Sequence, residues 1–413
     1  MKFHLDPVIS SRIRDAWAAL GPDERNRIAP LLAKANQQAL TVSQTRTVPL
    51  DATVPRQALF ARSALSGDRE PVVANLAASI VLGVGAGGEI WGTGKYEQLD
   101  AGWEESIAVW FENLISGKHA FNAGPPAVIT MPAQVRIALS GDWGTGDWRT
   151  EANPAPSTDV ARHIRFLEPH YTIHLGDVYY AGTADEEQHL LVKLWPSGQL
   201  GALALNSNHE MYSGAKPYFQ KALSSQLFAI QKGCSFFALE NSHWVIVGLD
   251  SAYYSDAEGL YLDGSLSPAQ GPSLQADFLR AQAAKGKKVI VLTHHNGLSE
   301  DGLTKTGLWQ EVLSAFPQGS GPAYWYWGHI HAGAVYKPYG PQVLCRCCGH
   351  GGIPWGQAAM LKDSPNVAWY ENRSANDREI PERVLNGFTL LELDGPTLTE
   401  IFYDENGGIA WQS

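Results

Sequence analysis

From residue 135 onward the chain repeats one layout: a short apolar run, a small residue or turn, then a polar side chain able to bind a metal. Val135–Leu139 leads to Gly141-Asp142, and Tyr171–Leu175 leads to Gly176-Asp177. Ala202–Leu205 leads to Asn206-Ser207-Asn208-His209, and Val289–Leu292 leads to Thr293-His294-His295. The aromatic run Tyr324–Trp327 leads to Gly328-His329-Ile330-His331, with Trp325 and Trp327 alternating against Tyr324 and Tyr326 as in strand packing. Such runs predict strands. Helical spacing fills the gaps: Asp159–Leu167 before Pro169, Leu274–Lys285 with Leu274, Phe278 and Leu279 apolar, and Trp309–Phe316. Strands alternating with helices predict an α/β domain. The end of the chain differs. Phe388–Leu393, Asp394-Gly395 and Leu398–Tyr403 predict an antiparallel hairpin.

The first part of the chain reads as mainly helical. Ile13, Trp17 and Leu20 form one helical stripe, broken by Gly21-Pro22-Asp23. Trp103, Ile107, Trp110, Phe111 and Leu114 form another, and Asn122–Pro132, rich in proline, reads as a linker. The expected organisation is therefore a helical N-terminal extension, 1–130, and the α/β domain, 131–413. Gly83, Gly85 and Gly88 match a dinucleotide fingerprint, but Gly92 and Gly94 follow where a helix should open, so a small-residue loop is expected.

A hydrophobic content of 44% supports a substantial core, and a net charge of −11 argues against a nucleic-acid partner. Met1–Val8 contains no apolar segment of a secretory signal, and the apolar run at Ile80–Val84 is too short to cross a bilayer. With four cysteines, Cys234, Cys345, Cys347 and Cys348, a reducing cytoplasmic location without membrane contact is expected. Cys345-Arg346-Cys347-Cys348 has no second Cys/His pair to close a zinc site and reads as a strand running into the Gly349–Gly352 turn.

Asp, Asp, Asn, His and His-x-His thus leave the C-terminal ends of five strands, the edge at which α/β sheets bind ligands. Oxygen and imidazole donors in this mixture suit a pair of first-row metal ions, and two metals about 3.5–4 Å apart form a clamp for displacement at phosphorus. In order and spacing the motifs G-D-W-G (141–144), G-D-V-Y-Y (176–180), S-N-H-E (207–210), T-H-H (293–295) and G-H-I-H (328–331) resemble the calcineurin-like metallophosphoesterase superfamily, over residues 133–413.

The resemblance implies a two-sheet sandwich flanked by helices and a binuclear metal centre. Asp177 would bridge the metals. Asp142 and His331 would serve one, and Asn208, His294 and His329 the other. Asp142-Trp143-Gly144 lacks the Asp-x-His common in the superfamily, and Tyr180 follows the bridging Asp by three residues, as in the purple acid phosphatase branch. Tyr180 as a ligand implies ferric iron, beside a second Fe, Mn or Zn. His209 is the proton donor to the leaving group that the resemblance implies, with His295 as the second choice. On the loop after Asp142, Trp143 could stack on an organic leaving group and Arg149 could meet an anion. The departures are Ser207 where the third motif carries glycine, Ala332-Gly333-Ala334 after His331, and the helical N-terminus. The expected activity is hydrolysis of a small-molecule phosphate monoester by a metal-activated hydroxide. A phosphodiesterase, for example on cyclic nucleotides, and a non-catalytic metal-containing scaffold are the alternatives.

Overall fold

The computed structural model describes residues 15–16, 18–26, 81–84, 90–92, 101–121, 124–257, 259–353, 361–378 and 383–413; side chains at 81–84, 90–92, 101–105 and 107 lie outside the description. The strands in chain order are β1 (Val81–Val84), β2 (Ile90–Gly92), β3 (Ala127–Thr130), β4 (Gln134–Ser140), β5 (Tyr171–His174), β6 (Gly201–Ala204), β7 (Phe237–Glu240) and β8 (Trp244–Gly248). They continue as β9 (Lys288–Thr293), β10 (Tyr324–Trp327), β11 (Gly333–Tyr336), β12 (Leu344–Cys348), β13 (Val367–Tyr370), β14 (Gly387–Asp394), β15 (Thr397–Asp404) and β16 (Ile409–Gln412). An eight-stranded sheet has the order β13-β11-β12-β10-β9-β8-β7-β3, and a six-stranded sheet has the order β16-β15-β14-β4-β5-β6. β1 and β2 pair only with each other.

The period-two pattern explains how the layers stack. On β4, Val135, Ile137 and Leu139 face the other sheet, where Ile246, Ile290, Leu292 and Tyr326 meet them. Ala138 faces the opposite way, onto helix α2 (Pro156–Leu167) through Val160, Ala161 and Ile164. On β10, Trp325 and Trp327 point away from the sandwich, toward Leu279 of helix α4 (Leu274–Ala283) and Leu308, Trp309 and Val312 of helix α5 (Gly307–Leu313). The result is a helix–sheet–sheet–helix sandwich. Leu274, expected on the apolar stripe, is exposed. Ser273 caps α4 by accepting from the Ala276 N–H at 3.1 Å, and Gln275 turns inward to hold both backbone groups of Asp250 at 2.8 Å. The late hairpin forms as expected, with Asp394 paired to Thr397 and Gly395-Pro396 as its turn.

The expected linker is partly sheet. β3 lies within Asn122–Pro132 and runs parallel to β7 as an edge strand of the larger sheet. Helix α1 (Ala101–Ser116) belongs to the same body, because Trp110, Phe111 and Leu114 are buried in the core that includes Val160, Tyr212 and Tyr218. Residues expected in the N-terminal extension therefore complete the sandwich. Ile13, Trp17, Gly85 and Gly88, the Trp103 and Ile107 side chains, and the remainder of 1–130 beyond the ranges above lie outside the described residues.

Candidate metal centre

Three of the five motifs leave their strands through a left-handed backbone turn. Asp142, Asp177 and His329 have φ values of 56°, 76° and 63°, the left-handed region that costs a non-glycine residue about 1–3 kcal/mol and that clusters at functional sites. Glycines make the crowding possible. A Cβ on Gly176 would lie 2.8 Å from His294 Nδ1, and one on Gly328 would lie 2.7 Å from Asp142 Oδ2. The five strand ends meet in a space that is almost wholly buried: Asp142, Asp177, Asn208, His294, His329 and His331 are at most 6% exposed.

Two donor groups form there. In the first, His294 Nε2 lies 2.9 Å from Asn208 Oδ1, 3.2 Å from His329 Nδ1 and 3.2 Å from Asp177 Oδ1, and His329 Nδ1 lies 3.0 Å from Asn208 Oδ1. His294 Nδ1 donates to the Leu175 carbonyl at 2.9 Å, since a carbonyl only accepts. In the neutral ring, Nε2 is then a lone pair. Lone pairs of nitrogen, amide oxygen and carboxylate thus face one another about 3 Å apart. Ligand bonds of about 2.1 Å put neighbouring donors about 3.0 Å apart around an octahedral cation. The donor set fits a metal ion.

In the second group, His331 Nε2 lies 3.3 Å from Asp142 Oδ1, and the Tyr179 hydroxyl lies 2.9 Å from Asp177 Oδ2, 3.1 Å from His331 Nε2 and 3.4 Å from Asp142 Oδ1. Asp177 joins the two groups, Oδ1 on the first and Oδ2 on the second, as a bridging carboxylate would. Burial would raise the Asp177 pKa, but the facing imidazoles of His294 and His209 hold it well below the usual carboxylate range. Behind it, the Ser207 hydroxyl contacts both Asp177 Oδ1 and Glu210 Oε2. Burial, then the charge of Asp177, pushes Glu210 up to about 8, so Glu210 donates to Ser207 and Ser207 donates to Asp177.

The phenol beside the metals belongs to Tyr179, one residue before the expected Tyr180. Gly144 bridges Val178 in parallel, and the chain then turns at Tyr179-Tyr180, with the Tyr179 hydroxyl reaching Asp177. Tyr180 packs with Tyr179 and Ile353, its carbonyl accepts from His209 Nδ1 at 2.6 Å, and its N–H donates to Glu186.

His209 opens helix α3 (Asn208–Tyr212) beneath the Ser207 cap and brings Nε2 to 3.9 Å from Asp177 Oδ2. His295 stands beside His294 and His329. Its Nε2–H donates to the Tyr261 carbonyl at 2.8 Å and its Nδ1 accepts from Ser251 Oγ at 2.9 Å. Both ring nitrogens thus hold the turn over the site. His174, deep in β5, has its pKa lowered by burial to about 3 and accepts from the Gly176 N–H at 3.3 Å.

The two expected substrate contacts are corrected. Trp143 is 1% exposed, donates to the Ser157 carbonyl at 2.8 Å and packs edge-on to Trp195, so it is a core residue. Arg149 pairs with Asp377 at 2.7 Å with both side chains buried, and Arg383 Nε shares that carboxylate at 2.8 Å. The guanidinium serves a buried ion network. Cys234, Cys345, Cys347 and Cys348 are unpaired and buried, and the Cys347 thiol sits 3.1 Å from the Ile330 carbonyl, beneath the His329–His331 loop. Trp355 lies outside the described residues.

Residues 135–333 match the family model described as calcineurin-like phosphoesterase. Over that span, a little under half of the chain, the protein is similar to that family. No curated protein matches it by sequence. Among solved structures, it is similar to a purple acid phosphatase, PPD1, from yellow lupin (12% identity, TM-score 0.47), over 68% of this chain and 54% of that one. The chain therefore spans about half of the lupin enzyme. It is also similar to GAP50, the anchor in the inner membrane complex of Plasmodium (14% identity, 68% of this chain, 88% of that one, TM-score 0.47). A dimetal phosphatase from Danio rerio is a third similar structure (14% identity, 65% and 95%, TM-score 0.39).

Proposed function

We propose that the protein is a binuclear metal-dependent phosphoesterase that hydrolyses a phosphate monoester of a small molecule. The observation that carries this reading is Asp177, whose two oxygens face two separate donor groups. Metal ions held by Asn208, His294, His329 and Asp177 on one side, and by Asp142, Asp177, His331 and Tyr179 on the other, would supply Lewis-acid charge for the phosphoryl oxygens and activate water. The chain's own residues do the rest. The glycine turns and buried carbonyls hold the imidazoles in place. The burial of the strand ends excludes bulk water. His209, fixed through Nδ1, presents Nε2 as proton donor to the leaving oxygen. A Tyr179 phenol in the second group would suit ferric iron there, beside Fe, Mn or Zn in the first, although its spacing from Asp177 is one residue short of the purple acid phosphatase pattern. Four buried, unpaired thiols support a reducing, cytoplasmic setting. Among the described residues no helix is long and apolar enough to cross a membrane.

The test is a paired assay on p-nitrophenyl phosphate and bis-p-nitrophenyl phosphate with Fe, Mn or Zn added, beside Asn208→Ala. Faster turnover of the monoester, lost in the variant, is the expected result. Preference for the diester moves the assignment to a phosphodiesterase. Metal binding without turnover of either ester moves it to the scaffold.

A further inference from the structure

We propose that helix α1, which lies outside the family-matched span, positions the proton donor of this site. The role assigned to His209 rests on the phosphoesterase reading above. The placement of α1 does not.

Three buried polar side chains of α1 reach segments that carry or hold a histidine of the site. Ser106 Oγ donates to the Tyr180 carbonyl at 3.0 Å, the same oxygen that takes the His209 Nδ1–H at 2.6 Å. Asn113 Nδ2 donates to the Met211 carbonyl at 3.2 Å, two residues beyond His209 in α3. Trp110 Nε1 donates to the Ala257 carbonyl at 3.0 Å, in the turn whose Tyr261 carbonyl holds His295. Asn113 Nδ2 also lies 3.4 Å from the Tyr261 hydroxyl. Ser106, Trp110 and Asn113 are 2%, 1% and 5% exposed, so each bond is made away from water and each broken one leaves a buried carbonyl short of a donor.

Apolar packing alone would dock α1, through Ala108, Phe111 and Leu114. The polar bonds add direction. The Tyr180 carbonyl has two lone pairs, and the imidazole and the serine take one each, which fixes the carbonyl and with it the plane of the His209 ring. The fit at the other end is tight: a Cβ on Gly214 would lie 2.2 Å from Asn113 Oδ1. When Nε2–H passes its proton to the leaving oxygen, the ring becomes neutral and keeps its Nδ1–H on Tyr180. A misplacement of the donor by a fraction of an ångström slows that transfer.

The experiment uses the full, metal-loaded chain and the variants Ser106→Ala, Ser106→Thr and Asn113→Leu. Turnover is measured on phenyl phosphate, whose leaving group needs a proton, and on p-nitrophenyl phosphate, whose leaving group does not. Hydrogen exchange of residues 208–212 is followed in parallel. The expected result is about a tenfold loss on phenyl phosphate and less than about a twofold loss on p-nitrophenyl phosphate for Ser106→Ala and Asn113→Leu. Metal content should stay unchanged, exchange at 208–212 should quicken, and Ser106→Thr should behave as the parent. Equal losses on both esters, unchanged turnover, or unchanged exchange at 208–212 overturns the proposal. If the parent hydrolyses neither ester, the phosphoesterase reading fails, and the exchange data alone decide whether α1 holds the His209 helix.

Discussion

At Asp177 two carboxylate oxygens face different donor groups, and the residues around it make separate predictions. In the iron-loaded protein a phenolate on ferric iron gives a visible charge-transfer band. Tyr179→Phe should abolish that band and Tyr180→Phe should keep it, which visible absorption spectra check directly. The ligand types were legible, because Asp, Asn and His each follow an apolar run and a tight turn. The choice between two adjacent tyrosines was not, because it depends on how the chain turns after the Gly144–Val178 bridge. Trp143 and Arg149 were misplaced for a related reason: a sequence does not display that Trp195 packs on one or that Asp377 neutralises the other. His350 makes a pH prediction. Burial lowers its pKa to about 4, so the folded state keeps it neutral while the unfolded chain, titrating near 6.5, takes up a proton. Stability is fully present above pH ~6.5 and falls as the pH drops toward 4, by about 3 kcal/mol from this group. Urea unfolding of His350→Gln should show a flatter pH dependence than the parent over that window.

Between the sheets, β12 and β15 are tied by Arg346 and Glu400, whose forked contact at 2.7 and 2.8 Å is completed by the Tyr326 hydroxyl at 2.6 Å. Both side chains are at most 5% exposed. Glu400→Ala strands a buried guanidinium and should cost about 3–5 kcal/mol, whereas Arg346→Met with Glu400→Leu should recover most of that loss. Denaturant midpoints of the three proteins check this. The five ligand-bearing strands, the crossover helices and the late hairpin could be read from period and turn chemistry. β3 could not. It is an edge strand of Ala127–Thr130 embedded among prolines, and its partner β7 lies more than a hundred residues later, so local pattern carried no sign of the pairing.

For the molecule as a whole, the fold class followed from alternating elements, while the packing of two elements from before residue 131 was not legible in the sequence. Helix α1 and β3 are packed into the sandwich, because a 16-residue helix with a buried apolar face needs a partner surface and finds it beside α3. The whole arrangement converges on one carboxylate that spans two donor groups, and metal stoichiometry tests that most directly. The purified chain and Asp177→Asn would be loaded with iron, manganese or zinc and their metal content counted by mass spectrometry. The account predicts two ions per chain for the parent, one for each donor group, and at most one for Asp177→Asn. A parent that never holds more than one ion, or an Asp177→Asn variant that retains two, would contradict it.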